Sequence, residues 1–144
     1  MSNYAAYVQD QSDQLLAKTE QFVGLYKSGD DEAARALYPV ARTHWERIET
    51  VAESFGDLDP LMDAREADLE EGQEWSGWHL IEKDLWPQRA EGYTPLTQKR
   101  RDFYADDLLA NTEKLDSRVR ELTYSVDAIA NGRAACSRRS RPAR

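Results

Sequence analysis

His79 and Glu82 are the two residues of this chain whose types and spacing most invite chemistry. They stand three apart in the segment Ser76-Gly77-Trp78-His79-Leu80-Ile81-Glu82-Lys83-Asp84-Leu85-Trp86. On a helix each residue turns by about 100°. With Trp78 at zero, Leu85, Ile81 and Trp86 fall at about -20°, -60° and 80°, and Glu82 falls at about 40°, inside that apolar arc. A carboxylate in such a place must protonate or find a partner. His79, at about 100°, lies on the adjacent part of the face. The pair can reach one metal ion from a single helix, as imidazole and carboxylate do in di-iron helical bundles. The same spacing also suits a plain His–Glu hydrogen bond, or a Glu82 paired with Arg42 or Arg47.

A second candidate is Thr43-His44-Trp45-Glu46-Arg47-Ile48-Glu49. Glu46 and Glu49 share one helical turn, and two such carboxylates can chelate a hard or borderline cation. Glu49 flanks the Trp45–Ile48 stripe, Glu46 lies further round, and His44 is on the apolar side. Two such acids are more often a solvated face. The acids that begin at Asp63 (Glu66, Asp68, Glu70, Glu71 and Glu74) could add oxygen ligands, or form a solvated linker. Other chemistries lack their residues. There is no HExxH motif, no glycine-rich phosphate loop and no GxSxG elbow. Paired carboxylates for glycoside hydrolysis are available in any acidic chain.

Helices must position these groups. Val8, Leu15, Phe22 and Tyr26 recur at helical spacing and predict a first helix over about 4–27, stopped by Ser28-Gly29. Asp30 is a fitting cap for a second, over about 31–54, with Leu37, Ala41, Trp45, Ile48, Ala52 and Phe55 as its stripe. Pro39 lies inside it and predicts a kink or a late start. Residues 63–74 read as a loop with room for a short helix. A short third helix is expected over 76–86, ended by Pro87. Leu108, Thr112, Leu115, Val119, Leu122, Val126 and Ile129 predict a long helix over about 98–130, closed by Asn131-Gly132. Three long helices and one short one, each with one apolar face, predict an all-α antiparallel helical bundle.

Composition agrees. The chain has 144 residues, enough for one domain, and only 7 Gly and 5 Pro, few for a strand-and-turn fold. It has 27 acidic and 19 basic residues, a net charge of -8, which argues against nucleic acid as a partner. No apolar run suits a membrane span, and residues 1–10 lack the basic and apolar regions of a signal peptide. Cys136 is the sole cysteine, so no Cys-based zinc site and no internal disulfide is expected. With two histidines in the chain, any metal site must be mostly carboxylate.

Residues 133–144, RAACSRRSRPAR, are unlike the rest: basic, with no acid and no large apolar side chain. They read as a basic disordered tail following a domain of residues 1–132. The string can also be encoded by GC-rich codons that, read two bases later, give GGLLEEVAAGK, an acidic helical segment. We therefore expect a frameshift at this point, which would leave Cys136 and the arginines without function.

HWERIE (His44–Glu49), FGDLDPLMDAREADLEEGQEW (Phe55–Trp75) and GWHLIEKDLW (Gly77–Trp86) resemble the imelysin family, in particular its members in bacterial iron-uptake systems. The last block carries a GxHxxE pattern as Gly77, His79 and Glu82. The resemblance covers about Tyr4 to Gly132 and ends where the basic tail begins. It implies an all-helical fold of two bundles related by duplication, of which this chain is the first half. It also implies an extracytoplasmic setting, an iron permease and a peroxidase-like protein as partners, and iron as the ion, with copper or zinc as alternatives. His79 and Glu82 then correspond to the family's HxxE metal motif, and Glu46, Glu49 and Asp63 to acidic positions of its cation site. A metallopeptidase, the older classification of the family, is the main alternative. It would need Glu82 as both ligand and base. A non-metal interaction module and a non-functional truncated fragment are further readings.

Overall fold

The computed structural model describes the backbone of residues 3–139 and the side chains through Leu122. Five α-helices form, with no strand among the described residues: α1 (Asn3–Ser28), α2 (Asp31–Glu53), α3 (Asp59–Asp63), α4 (Trp78–Leu85) and α5 (Gln98–Arg139). Single 3₁₀ turns occupy Glu66–Asp68 and Pro87–Arg89.

The α1–α2 turn is built from local chemistry. Gly29 takes φ +85°, and the Asp30 amide donates back to the Leu25 carbonyl at 3.0 Å. This satisfies a carbonyl that the helix end would leave unpaired. Asp30 then caps α2, accepting from the Ala33 amide at 3.3 Å, while Asp31 and Glu32 complement the dipole in the first turn.

α1 is the central rod, packed along most of its length against α2 on one side and α5 on the other. Both run antiparallel to it. Lys27 pairs with Asp106 near the end of α1 and the start of α5, and Ser12, earlier in α1, bonds Asp116, later in α5. α2 and α5 are therefore parallel to each other, and the segment carrying α3 and α4 fills the space between them.

The predicted stripes form the core. Val8, Leu15, Phe22 and Tyr26 of α1 are buried, as are Ala41, Trp45, Ile48 and Ala52 of α2 and Leu108, Thr112, Leu115 and Val119 of α5. Leu37 and Phe55 lie at the edge, and Leu122 is 42% exposed. Val126 and Ile129 lie beyond the described side chains. α2 runs unbroken through Pro39 and starts at Asp31, so the proline neither stops nor delays it. α5 continues to Arg139, past Asn131-Gly132. A glycine inside a helix costs only about 1 kcal/mol, and the Ala and Arg residues after it are good helix formers. Residues 140–144 of the expected disordered tail lie outside the described residues.

Candidate metal centre

The geometry around α4 starts with Gly77. Its φ is +94°, and a Cβ there would stand 2.3 Å from the Met62 carbonyl oxygen. Glycine alone lets the start of α4 lie against the end of α3. The neighbouring residues clasp the same junction. Trp75 Nε1 donates to the Ala64 carbonyl at 2.8 Å, and Ser76 Oγ to the Leu61 carbonyl at 2.8 Å. The acidic segment thus loops out from α3 and returns to it. This closure sets Asp63, the residue after Met62, beside His79, two residues after Gly77.

His79 is held between two carboxylates. Its Nδ1 is 3.1 Å from Glu82 Oε1, the i, i+3 contact expected from spacing. Its Nε2 is 3.0 Å from Asp63 Oδ1 but off the axis of a good hydrogen bond, so this buried nitrogen has no well-directed partner. Arg42, from α2, donates from Nη1 to the same Asp63 oxygen at 2.5 Å. Its Nη2 lies 3.6 Å from Glu46. The Asp63 side chain is 14% exposed. Burial acts to raise the Asp63 carboxyl, but His79 and Arg42 together outweigh it and hold the group down at about 2. The Asp63 carboxylate in turn holds the His79 imidazole above its ordinary value against desolvation, with Glu82 adding to the rise. Glu49 is raised, first by burial and then by its contact with Asp63. Tyr38 is raised by burial and then by the charge of Glu82.

Of the five residues singled out for a cation site, Asp63, His79 and Glu82 form one contact chain, and Glu49 adjoins it through Asp63. Glu46, 62% exposed at its side chain, reaches the group through Arg42. Among the described residues no three such side chains converge on a common point where an ion would sit. The reason is internal charge. The imidazole lies between Asp63 and Glu82 and keeps them apart, while the Arg42 guanidinium shares the Asp63 oxygen that faces His79. His44 takes no part. It lies elsewhere on α2, its Nδ1 2.7 Å from Gln11 Oε1.

Two positions differ from the helical-wheel expectation. Glu82 sits at the rim, its side chain 37% exposed, and Trp86 leaves the helix at φ -123° to pack its ring on Tyr38 at the edge of the core. The buried acid of α4 is Asp84, with 3% side-chain exposure. Asp84 accepts from Tyr26 at 2.7 Å, from Tyr93 at 2.8 Å and from the Leu96 amide at 2.9 Å, with Arg101 Nε 3.2 Å away. It ties α1, α4, the following loop and α5 together. Sequence reasoning missed it, since its partners lie at unrelated positions along the chain. An aspartate beside the Leu80–Ile81–Leu85 face was the one available signal.

Above His79 an open cleft of about 570 Å³ separates α2 from α4. Glu46 and Glu82 line it, together with Tyr38 and Trp86.

Comparison with known proteins adds the family. The family profile described as Imelysin matches residues 1–140, eight residues beyond Gly132. The chain is 38% identical over 134 residues to the iron uptake system component EfeO of Escherichia coli (strain K12), covering 91% of this chain and 34% of that protein. It is 44% identical over 105 residues to the iron uptake system component EfeM of Bacillus subtilis (strain 168), covering 73% of this chain and 26% of that protein. An EfeM/EfeO family lipoprotein of Staphylococcus haemolyticus (strain JCSC1435) is 39% identical over 132 residues, covering 90% of this chain and 44% of that protein. The chain thus spans about a third of the length of the EfeO relative it matches.

Proposed function

The chain belongs to the imelysin family, and on that premise we propose that it binds iron as cargo for an extracytoplasmic uptake system and catalyses no reaction on it. Copper and zinc are the competing ions. The relatives' names, iron uptake system component and lipoprotein, support the setting, and an iron permease and a peroxidase-like protein are the partners that this role implies.

One observation carries the reading. His79 Nε2 is buried, faces Asp63 at 3.0 Å and lacks a well-directed hydrogen bond. Its Nδ1 meets Glu82 at 3.1 Å. A ring nitrogen that faces a carboxylate while the other nitrogen is fixed by a second carboxylate is the arrangement that orients a histidine toward a metal. In this reading His79 and Asp63 are ligands, Glu49 is a further oxygen donor, and Glu82 fixes the imidazole through Nδ1. Arg42 and the proton of His79 offset part of the carboxylates' negative charge before the ion enters. Carboxylates with one imidazole suit iron, and imidazole also suits copper and zinc.

Calorimetric titration of the chain with ferric ion by chelate exchange, Zn²⁺ and Cu²⁺ tests the proposal. His79→Ala and Asp63→Asn are expected to weaken binding by about a hundredfold or more, with circular dichroism establishing that each variant folds. A folded parent that binds no tighter than these variants overturns it.

A further inference from the structure

A second cavity, of about 130 Å³, shares no lining residue with the cleft above His79. Leu61 of α3 borders it, with Glu74 and Ser76 of the returning loop and Phe103, Tyr104 and Asp107 of α5. Six large apolar side chains stand out into solvent among the described residues, and two of them, Leu61 (44% exposed) and Phe103 (60%), flank this one cavity from different helices. Phe103 lies off the buried stripe of α5, and its ring meets Tyr104 edge to face at 5.2 Å. Single exposed apolar residues are ordinary, but two that flank a hollow make a wall.

The charged groups of the cavity are both acids. Their hydrogen-bond partners are neutral: Glu74 accepts from the Tyr104 hydroxyl at 3.3 Å, and Asp107 from the Asn111 side-chain amide at 3.3 Å. Arg100 is turned to the Tyr104 hydroxyl at 3.1 Å. Neither acid forms an ion pair among the described residues. Burial, and then the charge of Glu74, holds the half-buried Asp107 carboxyl above its ordinary value, with Lys114 opposing. A carboxylate can accept about four hydrogen bonds, so both have room for a donor, and a cation between them would relieve their repulsion.

Size and shape narrow the cation. At about 30 Å³ per water the space equals about four waters, close to the four-carbon stem and ammonium of a lysine. Lysine lays its stem on apolar surface while its head stays charged. A metal ion would leave the Leu61–Phe103 wall bare. A free amine would fill the hollow but leave the rim of both side chains in water. A lysine carried on a chain covers the wall and the rim together.

We infer that this cavity docks a lysine side chain from a basic segment of a partner protein, with its stem between Leu61 and Phe103, its ammonium between Glu74 and Asp107, and its apolar neighbours over the rim. The net charge of -8 favours the approach of such a segment. The inference is independent of the metal-binding reading. A partner seated here would nevertheless touch the α3–α4 clasp, since Leu61 and Ser76 are joined in it.

The experiment is an NMR titration of the isotope-labelled full chain with two capped peptides, Ala-Leu-Lys-Leu-Ala and its counterpart with neutral norleucine in place of lysine. The expected result is a saturable shift of the Glu74, Ser76 and Phe103 amides at millimolar lysine peptide, with the norleucine peptide about tenfold weaker. In Glu74→Gln/Asp107→Asn, checked by circular dichroism, the lysine peptide should fall to the norleucine level. In Phe103→Ala both peptides should weaken together. Equal affinity of the two peptides for the parent overturns the inference, a comparison that needs no variant. So does the absence of a saturable shift at these residues. Butylamine that binds as tightly as the lysine peptide overturns the protein partner in favour of a free amine. A parent that sediments as a dimer, broken by Phe103→Ala, overturns it in favour of a second copy.

Discussion

At the scale of single residues, His79 couples the site to pH in two ways. Asp63 raises its pKa in the folded chain. The imidazolium therefore contributes stability that is fully present below the unfolded value near 6.5 and is lost as pH rises through the higher folded value. Asp63, depressed to about 2, contributes stability above its unfolded value near 3.8 that is lost as pH falls toward 2. The stability of the metal-free chain should accordingly decline above pH 6.5, and His79→Gln should flatten that decline; urea unfolding at a series of pH values measures both. Metal binding must also displace the His79 proton. Below the folded pKa the affinity should fall by about tenfold per pH unit, with protons released in unbuffered titration. Affinity that is flat between pH 5 and 8 would mean that His79 is no ligand. The i, i+3 spacing made the His79–Glu82 contact legible in the sequence. The Asp63–His79 contact was not legible from spacing, because sixteen positions separate the two and only the backbone closure at Gly77 brings them together.

At the scale of elements, that closure is a short-range device with a large effect. Gly77→Ala forces a Cβ into the Met62 carbonyl at a positive φ. It should cost about 3 kcal/mol or more and, since it parts α3 from α4, weaken metal binding in whatever fraction folds. Thermal unfolding and titration read the two effects. Asp84 is the matching device at the other end of α4. Asp84→Asn keeps the shape but leaves Arg101 with Asp31 as its remaining carboxylate, for a predicted loss of about 2 kcal/mol. The long helices were legible because each needs one apolar stripe and those stripes are long. Helix α4 was harder. Eight residues give few repeats, and a single tryptophan that unwinds at the C-terminus, Trp86, shifts the inferred centre of the buried face from Ile81 toward Glu82.

For the whole molecule, α1 joins two parallel helices that touch each other little, and the α3–α4 segment completes the packing between them. Most of this order follows from the capped turn at Gly29-Asp30 and from antiparallel packing on α1, both readable in the sequence. The placement of the middle segment depends on distant polar contacts that periodicity does not encode. Helix α4 carries His79 and Glu82 on one side and the Asp84 knot on the other, and it is only about 12 Å long. A rod that short cannot bend between its two faces. Its tilt is therefore a gauge. If an arriving ion draws His79 toward Asp63, the Asp84 carboxylate moves with it, and the Leu96 amide that it holds at 2.9 Å becomes the needle. The proton resonance of that amide should shift on metal loading in the parent and stay still in His79→Ala, which would let occupancy be read from a loop that never meets the ion.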